Sequence, residues 1–367
     1  MGFVTDWSGL MAARWFLGLA EAGLFPGIAF YLSCWYKRSE LGIRTAFFFS
    51  AAAISGSFGG LLAAAIEKMD GVGGRPGWAW IFILEGLLTV LFGTASFWTM
   101  YDFPDGERTR FLSPADKARA LRRLQDDNQS SAAHEKFSMV YVGQALRDWK
   151  MWVGMFIYSG ATMPLYAFSM FLPTIIHELG WSTTVIRSQL YSVPPYVLAA
   201  LYTVAIGYYA DRVGRRGIFN VCSSILGAAG FVMQLATHSP AVRYVGTFLA
   251  ALGIYPCIPN TVTWIANNVE GVYKRGVVLG FVIGWGNLNG IVSSNIYFNK
   301  PDFVEGHAVV LAFMLVFLAG FSAVMMFFLD RENKKRLAGE RDSRIEGKSE
   351  HEIYVMGDGR PDFIYTV

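Results

Sequence analysis

Residues 151–176 read MWVGMFIYSGATMPLYAFSMFLPTII, a run without a single Asp, Glu, Lys or Arg. The hydrocarbon core of a bilayer takes about 20 mostly apolar residues per helix, so this stretch reads as a membrane span. Working outward, eight further stretches have the same character: roughly 10–36, 43–66, 78–101, 187–210, 218–236, 242–266, 276–298 and 307–329. They carry Pro26, Pro164, Pro194, Pro195, Pro256 and Pro259 inside them, which membrane helices tolerate because neighbours re-satisfy the freed backbone groups. The whole chain of 367 residues is 53% hydrophobic and 16% charged. Soluble domains run near 45–50% and about 25%. Disorder, collagen and a disulfide scaffold are excluded. The ~10-residue alternating strands of a membrane barrel are absent. A net charge of +3 with no basic patch argues against nucleic acid. The fold class is therefore an all-α polytopic membrane protein.

Lys and Arg collect on the cytoplasmic side of membrane proteins. Of the 31 basic residues, 25 fall in one set of alternate loops and the tail, five (Lys68, Arg75, Arg187, Arg243, Lys300) in the other, and Arg14 lies within a span. This places the long middle loop and the C-terminal tail in the cytosol. Four units follow: a partial first half at 1–101, a cytoplasmic loop at 102–150, a six-helix half at 151–329, and a charged tail at 330–367 that reads as disordered. Trp78, Trp80, Trp149, Trp152 and Trp181 stand at span ends, as interface anchors do. In the loop, Ser113-Pro114-Ala115-Asp116 is a helix start. Arg119, Arg122 and Arg123 on that helix could touch anionic lipid or simply be solvated. The sequon Asn128-Gln129-Ser130 falls on the cytosolic side and should stay bare. Cys34, Cys222 and Cys257 offer no disulfide framework, and the five His residues form no metal cluster.

Gly23-Leu24-Phe25-Pro26 in the first span matches Gly253-Ile254-Tyr255-Pro256 in the seventh. The same offset of 230 aligns Arg44 with Lys274. Parallel repeats about an axis normal to the membrane are a transporter architecture. The repeat would place a partner of Gly207-Tyr208-Tyr209-Ala210-Asp211-Arg212-Val213-Gly214-Arg215-Arg216 before Met1, so the chain reads as about three helices short at its N-terminus. That loop motif resembles the signature of the major facilitator superfamily. The stretch Arg14-Trp15-Phe16-Leu17-Gly18-Leu19-Ala20-Glu21-Ala22-Gly23-Leu24-Phe25-Pro26-Gly27 looks like the fourth helix of its anion:cation symporter family. Trp264-Ile265-Ala266-Asn267-Asn268 and Gly284-Trp285-Gly286-Asn287-Leu288-Asn289-Gly290 are similar to the fungal allantoate, nicotinate and pantothenate permease branch. The resemblance implies a major facilitator fold with nine of twelve transmembrane helices present.

Three charges lie deep in spans: Arg14, Glu21 and Glu85. Each costs roughly 2.5–3.5 kcal/mol at a helix centre and so calls for a role. Arg14 and Glu21 are two turns apart on one face. A guanidinium can hold a carboxylate bidentately, and a buried glutamate has a raised pKa suited to carrying a proton. The resemblance implies the same division: Arg14 for a substrate anion, Glu21 for proton coupling. The competing reading is a structural ion pair. Glu85 reads as a helix-packing partner or part of a proton path. The later spans offer only neutral polar groups: Tyr166, Asn260, Asn287 and Asn289 either line the substrate path or hydrogen-bond between helices. Trp264 and Trp285 could stack on a ring or pack in the core. Asp211, Arg212, Gly214, Arg215 and Arg216 form a cytoplasmic gate or a positive-inside anchor. Gly56 and Gly60, and Gly276, Gly280 and Gly284, form smooth stripes for close helix approach.

The function expected is proton-coupled symport of a small organic anion, a vitamin-like monocarboxylate such as nicotinate, or allantoate or pantothenate. It would run by alternating access across the plasma membrane. No cofactor, metal or enzymatic activity is expected. The alternative is a non-transporting nutrient receptor or an inactive fragment.

Overall fold

The computed structural model describes residues 1–104, 106, 109, 111–127, 138–180, 185–297 and 303–367. Trp181 and the sequon at Asn128 lie outside the described residues. Among these residues there is no strand. Nine helical segments are long and apolar enough to cross a membrane: Trp7–Trp35, Leu41–Met69, Gly77–Thr99, Trp149–Glu178, Arg187–Val213, Gly217–Ala236, Pro240–Asn267, Val272–Ser293 and Val304–Leu337. They are called the first to ninth spans below. Each coincides with one of the apolar stretches of the sequence, and the chain is a multi-pass membrane protein.

The repeated tetrapeptide has a structural meaning. The first span is two helices, Trp7–Glu21 and Leu24–Trp35, broken at Ala22-Gly23. The seventh is Pro240–Ile254 and Cys257–Asn267, broken at Tyr255-Pro256. Proline lacks an N–H and crowds the carbonyl four residues back. Pro26 and Pro256 would therefore strand the carbonyls of Ala22 and Leu252 in a straight helix. The fourth span, in contrast, runs unbroken through Pro164 and Pro173.

The packing is uneven. The most apolar window of the fourth span is 67% buried and that of the seventh 56%, against 11% for the first and 0% for the third. The core therefore sits among the later six spans. Glycines set its closest approaches. Gly160 of the fourth span lies against the backbone of Leu318, in the π-helical segment Phe313–Gly320 of the ninth. Gly227 and Gly230 of the sixth span meet Gly253 and Gly246 of the seventh, backbone to backbone. The stripe at Gly276, Gly280 and Gly284 behaves differently from the expectation. A methyl on Gly280 or Gly284 would meet nothing within 4 Å, and Gly276 faces only the Phe30 ring. The other stripe does serve a crossing: Gly56 lies against Tyr196 and Gly60 against Gln189, where the second span meets the fifth.

In the middle loop, Ser113 caps the helix Pro114–Gln125, its hydroxyl accepting from the Asp116 N–H at 3.1 Å. Arg123 pairs with Glu40, so it is engaged within the protein rather than with lipid. The tail departs from the sequence reading. Residues 330–367 are folded: the ninth span continues as helix to Leu337, and residues 357–367 lie against the basic end of the bundle. Their charge-rich average hides a short aromatic cluster, Phe363 to Tyr365, of which Phe363 is only 1% exposed.

Candidate functional site

At the end of the bundle where basic residues collect, the fifth span delivers Asp211 to the start of the second. The helix Leu41–Ile66 begins after Glu40, whose side chain makes no capping bond. The Asp211 carboxylate takes over that duty from another span. Its oxygens accept the N–H of Gly42 at 3.1 Å and of Ile43 at 2.7 Å. A carboxylate placed there satisfies orphan donors and complements the positive end of the helix dipole. The same carboxylate pairs with Arg216, whose side chain is 1% exposed. Arg216 also donates to Asn260 Oδ1 at 3.3 Å. Asn260 returns a bond from Nδ2 to the Arg216 carbonyl at 2.9 Å and a second to Asn220 Oδ1 at 2.8 Å, and Asn220 donates to Thr261 Oγ1 at 2.9 Å. The result is a polar lock joining the second, fifth, sixth and seventh spans.

Two glycines let the lock close. A methyl at Gly42 would collide with the Asp211 carboxylate and the Arg216 guanidinium, and one at Gly207 with Ala46 and the Gly42 carbonyl. Gly214 has a φ of 70°, a left-handed conformation that glycine adopts without cost, and it ends the fifth span. Arg212 bonds the Tyr208 hydroxyl at 3.0 Å on the surface, and Arg215 is exposed. Of the five motif residues, Asp211 and Arg216 are brought together with Gly214 as the turn between them. The two other arginines stay outside the lock.

The remaining candidates divide. Arg14 and Glu21 are both exposed on the first span. Neither makes a hydrogen bond or ion pair among the described residues, and the nearest partner of Arg14 is the Phe82 ring at 5.7 Å. The burial expected for Glu21 is thus not found, because no described residue covers that face. Glu85 is likewise exposed. Tyr166 and Asn287 meet, the phenol donating to Asn287 Oδ1 at 2.7 Å, and Asn287 keeps an exposed face. Of the two readings of Asn260 and Asn289, the helix-packing hydrogen bond is the one that both residues make. Asn260 is committed to the lock. Asn289 is buried and donates to the Gly286 carbonyl at 3.0 Å and to Thr162 Oγ1 at 3.3 Å, tying the eighth span to the fourth. Trp264 is fully buried and its Nε1 donates to the Thr366 carbonyl at 2.8 Å, whereas Trp285 is exposed.

An aromatic cluster escaped the sequence reading. Tyr255, in the break of the seventh span, lies 5.8 Å from Tyr196, 6.4 Å from Phe168 and 6.4 Å from Phe49 of the second span, and Phe49 in turn lies 5.9 Å from Phe25 of the first. The Tyr255 hydroxyl is 3.1 Å from that of Ser169. The signal was present in the repeat, since Phe25 and Tyr255 occupy the same place in the two tetrapeptides.

A polytopic helical membrane protein, with a charged lock set across a seam of small residues, is the class that this fold and site define. Residues 1–294 match the Major Facilitator Superfamily, and the chain belongs to that superfamily. It is 34% identical to an uncharacterised transporter of Schizosaccharomyces pombe, over 100% of this chain and 74% of the relative. It is 31% identical to an MFS-type transporter of Penicillium expansum, over 99% of this chain and 72% of the relative. A high-affinity nicotinic acid transporter of Saccharomyces cerevisiae is 31% identical over 92% of this chain, which spans 62% of that protein's length.

Proposed function

We propose that this protein is a secondary transporter that takes up a small organic anion with a proton by alternating access. The observation that carries the reading is the Asp211 carboxylate of the fifth span capping the second span. A bond set of this kind makes a closed state specific and leaves it breakable, which a two-state gate requires. The basic end that it closes is the cytoplasmic end by the charge rule, with the tail inside and the protein in the plasma membrane. The first three spans and the later six then move as two bodies about the seam between the second and fifth spans.

Glu21 carries the proton and Arg14 the substrate anion, both on the open face of the first span. Tyr166 and Asn287 contribute hydrogen bonds from the later spans, and the Tyr255 and Tyr196 rings supply an aromatic wall. A monocarboxylate on a flat ring matches this combination, and the nicotinic acid transporter among the relatives favours nicotinate over allantoate or pantothenate. The test is uptake of labelled nicotinate, allantoate and pantothenate by cells expressing the protein, at external pH 5 and 7, with and without a protonophore. Accumulation that rises at pH 5 and collapses with the protonophore is expected. Failure to accumulate any of the three above control cells would overturn the substrate class, and uptake indifferent to the protonophore would overturn the coupling.

A further inference from the structure

Residues 357–367 form a strap across the basic end, and the later spans hold it by an extended set of directional bonds. Asp358 is 3% exposed. Its two carboxylate oxygens take Lys150 Nζ and Lys274 Nζ, each at 2.6 Å. Asp148 completes the square at 3.0 and 2.8 Å from the same two ammonium groups. Two buried asparagines grip the strap's backbone as a neighbouring strand would. Asn333 donates to the Tyr365 carbonyl and accepts its N–H, both at 2.9 Å. Asn268 does the same for Thr366, both at 2.8 Å. Arg336 donates to the carbonyls of Asp358 and Arg360 at 3.0 Å and stacks on the Tyr365 ring at 4.2 Å. At its end the strap reaches the lock, where the Arg216 N–H donates to the Val367 carbonyl at 2.6 Å.

Its connection to the first three spans is of another kind. Among the described residues, Arg38, in the turn before the second span, reaches the strap by a hydrogen bond and a ring contact. The Arg38 guanidinium donates to the Ile364 carbonyl at 3.1 Å and lies 4.8 Å from the centre of the Phe363 ring. Beside this contact Arg38 also donates to the Asn267 carbonyl at 3.2 Å, and Asn267 Nδ2 donates to the Arg38 carbonyl at 2.9 Å. The strap is thus fastened by many bonds on one side of the seam and, among the described residues, by the guanidinium of Arg38 on the other.

We propose that residues 357–367 are a built-in clasp: a segment seated on a peptide-binding surface of the later spans, which captures Arg38 while the basic end is closed and so holds it closed. The inference rests on the alternating-access reading above. The anchored side keeps its bonds when the seam opens, because all of them lie within the later spans. The Arg38 side must let go. The strap therefore biases the protein toward the closed state, and whatever lifts Phe363 frees the gate.

The test follows the gate and not transport, so that its failure is separate from a failure of the uptake reading. Asn267, 2% exposed at the seam, is replaced by cysteine in a chain whose Cys34, Cys222 and Cys257 are alanine. The labelling rate by a polar maleimide is measured in open membrane fragments, and all comparisons are made within that background. Phe363→Ala removes the ring under Arg38, and Asp358→Asn weakens the anchor without changing its shape. Labelling at least fivefold faster with Phe363→Ala, and about threefold faster with Asp358→Asn, is expected. Rates within a factor of two of the parent in both variants would overturn the clasp. Should Phe363→Ala fail to fold, the isosteric Asp358→Asn decides by itself.

Discussion

At the scale of single residues, the gate proposed above turns on the Asp211–Arg216 pair. Removing one member of a buried ion pair strands the other and costs about 3–5 kcal/mol. Asp211→Asn leaves the Arg216 guanidinium buried, and it also weakens the cap on the second span. The variant should melt several degrees lower than the parent in detergent; an unchanged melting temperature would show that the pair adds nothing to the closed fold. Gly42→Ala tests the same place by shape. The added methyl meets the Asp211 carboxylate and the Arg216 guanidinium, so the lock cannot seat. A cysteine at Asn220, buried in the lock, should react with a polar maleimide several-fold faster in the Gly42→Ala background. Equal rates would mean that the seam absorbs the methyl. Both charges of this lock could be read in the sequence, because the loop motif sets their spacing. Its other side could not. Gly42 and Ile43 contribute only backbone N–H groups, which leave no mark on side-chain patterns.

At the scale of the elements, the spans were almost fully legible, since length and lack of charge suffice to mark a membrane helix. The breaks in the first and seventh spans were not read from the sequence, because proline alone does not mark a break: the fourth span runs on through Pro164 and Pro173. Nor was close packing. Glycines at Gly276, Gly280 and Gly284 have the same four-residue spacing as Gly56 and Gly60, yet Gly280 and Gly284 face open space. Spacing fixes which residues share a helix face, but not what lies opposite that face. The contrast yields a paired prediction. Gly253→Val drives a side chain into the Gly227 backbone, and overpacking of this kind costs typically 1–3 kcal/mol. Gly280→Val meets nothing. Thermal inactivation in membranes should come earlier for Gly253→Val and stay at the parental temperature for Gly280→Val. Equal behaviour would refute the assignment of the sixth–seventh crossing. The tail shows the opposite failure of sequence reading. Averaged over its length it resembles a solvated segment, and partners distant in sequence, Lys150, Lys274, Trp264 and Asn268 among them, hold it in place. Burial disfavours the charged Asp358, but Lys150 and Lys274 outweigh burial and hold its carboxyl down at about 2. A carboxylate depressed in the folded state stabilises above its ordinary value near 3.8 and loses that contribution only as pH falls toward 2. Strap docking should therefore be constant between pH 5 and 8, as followed by protection of the 357–367 amides from hydrogen exchange after correction for intrinsic rates. A change in protection across that range would mean that a different group holds the strap.

At the scale of the whole molecule, two charge systems are separated along the bundle. The basic end holds Asp211, Arg216, Asp358, Lys150 and Lys274 in compensated, buried contacts. Arg14 and Glu21 carry no such compensation, and they stand on the first span ahead of the Gly23–Pro26 break. A break of that kind lets the two parts of a span reorient about the residue between them. The residue expected to sense the gradient is therefore Glu21, and the gate would respond to it only through movement of the spans. Glu21→Gln keeps the size and hydrogen-bonding capacity of the side chain but cannot take up a proton. Uptake driven by an imposed pH gradient should fall to the level seen with a protonophore. Exchange of labelled for unlabelled substrate, which needs occupancy but no net proton movement, should continue at a rate near the parental one. Gradient-driven accumulation at the parental level in Glu21→Gln would remove the coupling role from this residue. Loss of both activities would assign Glu21 to substrate binding instead.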